Sequence, residues 1–361
     1  MTSVTAFLYT DTYLTYQFGS GHPFQPKREK YALDLLKELN VFNGKAKHLE
    51  PLSATSKDLL AVHTKEYIDY VQRMCDEGHG YLDSGDTPAT KGLYGGALSV
   101  VGGSLLGAKL ILEGEVNHAF NPGGGLHHAK ADRASGFCVF NDIAVAIRYL
   151  QKSFGLKRIV VIDIDGHHGD GTQEIFYDEP ILTISTHRTG IFPGTGYVNE
   201  IGVGNGKGYS VNLPLPEGTF HEAYLHAFKE IIPPLVEAYE PEIIISQFGV
   251  DGHYLDPLVG LALTTKTYAE VSQIIHDLSH SFAGGKLLVV GGGGYSVQAV
   301  ARCWAIMFAT ISQALPKERE ERYNQLFDRD FHLKEKRVFD IVKDTVKRLK
   351  ERVFPLHDLD S

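Results

Sequence analysis

The chain is poor in cysteine. It has three, Cys75, Cys138 and Cys303, in 361 residues, and none belongs to a CxxC pair. A disulfide framework and a cysteine-based zinc site are therefore not expected, and the usage fits a reducing compartment. Lysine- and arginine-rich runs are missing too, and the formal net charge is −9. That balance argues against a general nucleic-acid binder and fits either a basic partner or simple solubility. The opening residues MTSVTAFLYTDTY hold no basic leader followed by a long apolar stretch, and no apolar run reads as long enough to span a membrane. The expectation is a soluble cytoplasmic protein with no nucleic-acid and no membrane partner. Two phosphate-binding signatures are absent as well. The segment GGALSVVGGSLLGAKLIL lacks GK[ST], and GGGGYS carries Ser296 where GxGxxG needs its last glycine.

What is present is an alternation of apolar runs with helical periods. Strands are expected at 4–9, 159–162, 181–185, 209–213, 242–248 and 286–290. Helices are expected at 28–40, from 56 onward, and at 95–112, 142–151, 220–239, 267–282 and 296–315. The 220–239 helix should kink or break at Pro233-Pro234. Several strands are apolar on both faces, which predicts an α/β fold with a single parallel sheet between helical layers. Polar clusters follow the strands' C-terminal ends, where such sheets form ligand sites. From Pro316 the chain turns strongly charged and reads as a helical appendage.

The richest stretch is RIVVIDIDGHHGDGTQ, residues 158–173. Its β-branched run ends in Asp163, Asp165, His167, His168 and Asp170. Residues two apart in extended backbone share a side, so Asp165 and His167 converge on one point. With Asp251 they make a set of one nitrogen and two carboxylates, which leaves positions for water and substrate. Such donors suit Zn²⁺, with Fe²⁺, Mn²⁺ or Co²⁺ as alternatives; Asp251 could equally be an ordinary loop aspartate. His127-His128 has Asp163 and Asp170 as candidate carboxylate partners, which could tune one ring as base and the other as acid. Surface histidines or further metal ligands are the competing readings. Tyr295, after four glycines, could donate to an oxyanion or be a buried structural tyrosine. Phe137 and Phe192, each beside glycine or proline, could line an apolar passage or simply pack.

Six segments in order carry a resemblance: GHPFQPKR, GGGLHHAKADRASGFCVFND, VVIDIDGHHGDGTQEIFY, FPGTG, FGVDGHYLDP and VVGGGGYSVQAVARCW. Together they resemble the histone deacetylases over roughly the first 310 residues, and within them the bacterial acetoin-utilization branch, which is similar to class I. The resemblance implies the three-layer arginase/deacetylase fold, with a catalytic domain over 1–315 and a charged helical extension over 316–361 packed on it. It implies metal-dependent hydrolysis of N-acetyl amides, most of all acetyl-lysine side chains of proteins. An acetylpolyamine or other small amide is the alternative substrate, and a non-catalytic acyl-lysine binder the alternative role. By motif, Asp165, His167 and Asp251 resemble the zinc ligands. His127 and His128 resemble the catalytic pair, backed by Asp163 and Asp170, and Tyr295 the carbonyl-polarising tyrosine. Gly136, Phe137 and Phe192 resemble the walls of an acyl-lysine tunnel, with Leu258 near its mouth and Asp86 at the rim. Arg28 matches an arginine beneath the site. A structural K⁺ held by main-chain groups of Asp163, Asp165 and His167 with Ser185 is also implied. Gly166 stands where the family carries a bulkier residue, which implies a looser metal loop. The rim around residues 79–86 departs from the pattern, and homo-oligomerisation is left open.

Overall fold

The computed structural model describes residues 4–329, 331 and 333–360. Among them are eight strands: β1 (Thr5–Leu8), β2 (Ala46–Leu49), β3 (His118–Asn121), β4 (Ile159–Asp163), β5 (Leu182–Arg188), β6 (Ser210–Leu215), β7 (Ile243–Gln247) and β8 (Leu287–Val290). They form one sheet in the order β2-β1-β3-β8-β7-β4-β5-β6, with every pairing parallel.

Side-chain alternation explains the architecture. Ile159 and Val161 of β4 join Ile243, Ile245, Leu288 and Val290 in one buried cluster, whereas Val160 and Ile162 join Ile244, Leu287 and Val289 in the other. Strands apolar on both faces need helices above and below, and crossover helices deliver parallel neighbours. Helix Asp142–Phe154 closes the first cluster; helices His221–Tyr239, Thr265–Phe282 and Val297–Ser312 close the second.

Strands β2 and β3 have no counterpart in the sequence reading. Each is four residues long, AKHL and HAFN, too short for a period to show. Helix His221–Tyr239 continues through Pro233 and Pro234, so the predicted interruption is absent. Both prolines lie on its half-exposed side, where the carbonyls they leave unpaired can reach water. Helix Leu93–Leu112 is long and apolar enough to cross a membrane, contrary to the expectation that no run is. Most of it is instead buried against β3, β8 and helix Asp142–Phe154.

The charged C-terminal segment has its own apolar stripe. In helix Lys336–Val353, Val338, Val342, Val346, Leu349 and Val353 recur three or four apart and are buried. That stripe packs on helix His221–Tyr239 and β6. Ahead of it, the buried Asp328 carboxylate is bonded by His253 Nε2 (2.9 Å), Arg302 Nη2 (2.8 Å) and the Thr265 backbone N–H (2.8 Å). The segment thus reaches back to the loop that follows β7.

Candidate active site

The parallel arrangement turns the C-terminal ends of β3, β8, β7 and β4 to one edge at the middle of the sheet. β4 ends at Asp163 and its loop carries Asp165, His167 and His168, while β7 leads to Asp251. The loop after β3 carries His127 and His128, and the one after β8 carries Tyr295.

Asp165, His167 and Asp251 are buried, and a ligand-capable atom of each lies within 4.8 Å of the others. His167 Nδ1 is 2.8 Å from Asp251 Oδ2 and 3.4 Å from Asp165 Oδ1. The carboxylates are fixed from behind. The Gly293 N–H and the Gln247 side-chain amide each donate to Asp165 Oδ2 at 2.7 Å, and the Gly166 N–H donates to Asp251 Oδ1 at 2.5 Å. Glycine is required for this approach. A Cβ on Gly293 would stand 2.3 Å from Asp251 Oδ2, and one on Gly166 would stand 2.5 Å from Val259 Cγ1. The looser loop implied at Gly166 is therefore not found, because Val259 fills the space. Burial and then Asp165 push the Asp251 carboxyl up to about 8. Burial opposes charge on His167, but Asp251 and Asp165 override it and lift the ring to about 10. Asp251 and His167 thus hold protons that a divalent cation would displace, while, against burial, His127 and His167 keep the Asp165 carboxyl well below the usual range. One imidazole and two carboxylates fit Zn²⁺ or a related ion.

His127 and His128 face the same space, with their Nε2 atoms 3.1 Å apart. His127 Nδ1 is 2.7 Å from Asp163 Oδ2, and its Nε2 is 3.9 Å from Asp165 Oδ2. His128 Nδ1 is 2.6 Å from Asp170 Oδ1, and the other Asp170 oxygen is 2.6 Å from Lys130 Nζ. Each ring therefore has its own carboxylate, but only Asp170 is shared with a cation. Burial disfavours charge on both. On His127, Asp163 and Asp165 outweigh it and raise the ring to about 9; on His128, burial and the neighbouring His127 outweigh Asp170 and lower it to about 4. One ring holds a proton that the other lacks, so the two can divide acid and base roles.

The Tyr295 N–H donates to Asp256 Oδ2 at 2.8 Å, and the Leu258 N–H donates to Asp256 Oδ1 at 2.9 Å. Burial, then Asp251 and Asp165, hold the Tyr295 phenol well above its usual range, so it stays a donor. Its ring meets Phe137 edge-on at 5.9 Å, and Phe192 meets His128 edge-on at 5.0 Å. Gly136 lies between His128 and Phe192: a Cβ there would be 2.6 Å from the first and 2.7 Å from the second. Phe192 and Leu258 are 44% and 42% exposed, so both side chains reach solvent. Asp86 is exposed on a neighbouring loop, where its carbonyl is 3.1 Å from His22 Nε2. The adjacent Thr87 Oγ1 accepts from the Phe137 N–H at 3.1 Å. Burial and then Asp83 raise the Asp86 carboxyl to about 6. Arg28 is buried beside Tyr295; its Nη1 donates to the Gly294 carbonyl at 2.7 Å and its guanidinium lies over Phe24 and Trp304. Ser185 pairs with Asp163 across β4 and β5, while its hydroxyl is 2.9 Å from His187 Nδ1.

Three residues not singled out by the sequence complete the site. Gln247 ends β7, and its amide donates to Asp165 Oδ2 at 2.7 Å and to the Gly125 carbonyl at 3.3 Å, which ties the carboxylate group to the loop that carries the histidine pair. A polar residue closing the run IIIS was the available signal. Asp256 holds the Tyr295 backbone, and Lys130, a buried lysine two residues past the pair, braces Asp170. His168 turns away from the pair. Its Nδ1 is 2.8 Å from Thr195 Oγ1 and its Nε2 3.2 Å from Gln173 Oε1, so it braces the loop that carries Phe192.

Residues 22–311 match the histone deacetylase domain. The chain is 43% identical over 312 residues to the acetoin utilization protein AcuC of Bacillus subtilis, covering 83% of this chain and 80% of that protein. It is 40% identical over 300 residues to a probable deacetylase of Archaeoglobus fulgidus, covering 82% of each. The crystal structure of the HDA15 HD domain aligns with a TM-score of 0.84 at 28% identity, over 99% of this chain and 97% of that one. The domain match spans most of the sequence and takes in every one of the clustered loops, and on that ground the chain belongs to the histone deacetylase family.

Proposed function

We propose that the protein hydrolyses the N-acetyl amide of an acetylated amine, most of all an acetyl-lysine side chain of a protein, and releases acetate. One observation carries this reading. A histidine pair, each ring backed by its own carboxylate, meets the Asp165–His167–Asp251 group, with Tyr295 following on the next loop.

Held by those three residues, a divalent cation, Zn²⁺ first and Fe²⁺ or Co²⁺ as alternatives, supplies Lewis acidity to the carbonyl and to water. The rest is the work of the chain. Gly136, Phe137 and Phe192 admit a neutral acyl-lysine stem and disfavour the free ammonium, which is costly to desolvate. His128 packs against Phe192, and its Nε2 takes the proton of water while Asp170 steadies the resulting charge through Nδ1. His127, behind it, holds its proton against Asp163, and the pair returns a proton to the leaving amine. The Tyr295 hydroxyl donates to the developing oxyanion. Asp86 at the rim orients the substrate backbone, Leu258 borders the mouth, and Arg28 receives the acetate side. A K⁺ bound by main-chain groups of Asp163, Asp165 and His167 with Ser185 stiffens the loop.

An acetyl-lysine peptide and acetylspermidine assayed side by side test the reading. Acetate release with the higher kcat/KM on the peptide is expected. A preference for acetylspermidine would move the substrate class to small amines, and no acetate from either would overturn the hydrolase reading.

A further inference from the structure

A second group of imidazoles lies at the opposite edge of the sheet. His118 opens β3, the strand whose other end leads to His127 and His128. His276 and His280 are four apart on helix Thr265–Phe282 and share one face. One ring nitrogen from each of the three lies within 4.8 Å of the others. The rings meet edge-on, with centroids 5.0 Å apart for His118 and His276, 5.1 Å for His118 and His280, and 4.5 Å for His276 and His280.

Packing alone leaves this arrangement unexplained. His118 is fully buried, and its Nε2 has no hydrogen-bond partner. His276 is also buried, with Nδ1 unpartnered. Unpaired buried nitrogens are costly, and here two share one place. His118 Nδ1 is 3.2 Å from Thr5 Oγ1. In the tautomer whose Nδ1–H donates to that hydroxyl the Nε2 lone pair is free, which is how ligand histidines are oriented. Access is provided by a cleft of about 530 Å³ whose walls include Lys45, Asp277, Ser312 and Gln313 beside His276 and His280. Lys45 is not aimed at the rings, since its Nζ reaches the Gln313 carbonyl at 3.4 Å. Asp277 Oδ1 is 4.0 Å from His276 Nδ1.

We propose that His118, His276 and His280 form a second metal site, for a divalent ion of the zinc class. Imidazole suits Zn²⁺, Co²⁺ and Ni²⁺, and Asp277 or water would complete the sphere. A tetrahedral site needs ligand nitrogens about 3.4 Å apart, which His280, exposed in the last turn of its helix, can reach by rotation. The ion would tie the first residue of β3 to the end of helix Thr265–Phe282. Its role is structural, and it is independent of the hydrolysis proposed above.

The test uses the whole chain, stripped with a chelator and titrated with Co²⁺ or Zn²⁺ by calorimetry, with the Co²⁺ visible band as a second readout. Two ions per chain are expected in the wild type and one in His280→Ala. Because His280 is exposed, that variant should melt as the wild type does in chelator, which separates ligand loss from misfolding. Asp251→Ala should retain one ion with an imidazole-rich type of Co²⁺ spectrum, and Zn²⁺ should raise its melting temperature by about 3 °C or more. Adding His280→Ala to it should abolish that rise. One ion per chain in the wild type, or two in His280→Ala, would overturn the proposal.

Discussion

Asp163, Asp165 and Asp170 leave the same strand end yet touch different partners. Asp165 belongs to the group with His167 and Asp251, Asp163 backs His127, and Asp170 lies between His128 and Lys130. Substitution should separate these roles. Asp165→Ala is expected to lose its divalent ion on dialysis, measured as metal per chain. Asp170→Asn should keep the ion and lose about 100-fold or more in kcat, as happens when a carboxylate no longer holds a catalytic histidine; ion loss in that variant would break the division. Tyr295→Phe should lower kcat by about 100-fold or more with KM little changed, since an oxyanion donor acts in the transition state. A fourth expectation concerns Glu29, buried with one carboxyl oxygen unpartnered. Burial pushes it up to about 8 against the pull of Arg28. Its folded value lies above the ordinary 4.5, so its contribution is fully present below pH 4.5 and lost as pH rises through about 8. Thermal melts should therefore show Glu29→Gln gaining on the wild type between pH 5 and 8. A difference that stays flat across that range would mean that Glu29 is already ionised in the fold.

At the scale of elements, the loops were legible where chemistry is dense. An aspartate and a histidine two apart after an apolar run pointed to one convergence, and the structure brings them together, on the loop past β4 rather than on the strand itself. Gln247 and Asp256 were not legible, because they act on Asp165 and on the Tyr295 backbone from far along the chain. Nor was the reach of the C-terminal segment, since nothing in its charge pattern marks Asp328 as the residue that goes inside. Asp328→Ala leaves the buried His253 and the partly buried Arg302 without their carboxylate and is expected to cost about 3–5 kcal/mol in denaturant melts. The pH sign is opposite to that of Glu29. Burial opposes charge on Asp328, but His253, the Thr265 N–H and Arg302 hold it well below the usual carboxylate range. Its stabilisation is therefore present above the ordinary value and is lost as pH falls.

At the scale of the molecule, the layered α/β architecture followed from strands apolar on both faces, but the strand order did not. Periodicity says which faces are buried and not which strand lies beside which. The last strand of the chain is the one in the middle: β8 pairs with β3 on one side and β7 on the other. The histidine pair hangs from β3, Asp251 from β7 and Tyr295 from β8 itself. Refolding therefore has no catalytically competent halfway point, and contacts of such long sequence separation form slowly. Trp304, the chain's one tryptophan, follows β8 and donates to the Phe248 carbonyl at 2.9 Å, so its fluorescence reports the same event. Recovered activity should rise with the slowest Trp304 phase, and activity that returned ahead of it would count against a site closed by β8. A growing chain would likewise stay inert until the keystone strand has been made, with no interval in which a half-built enzyme could act.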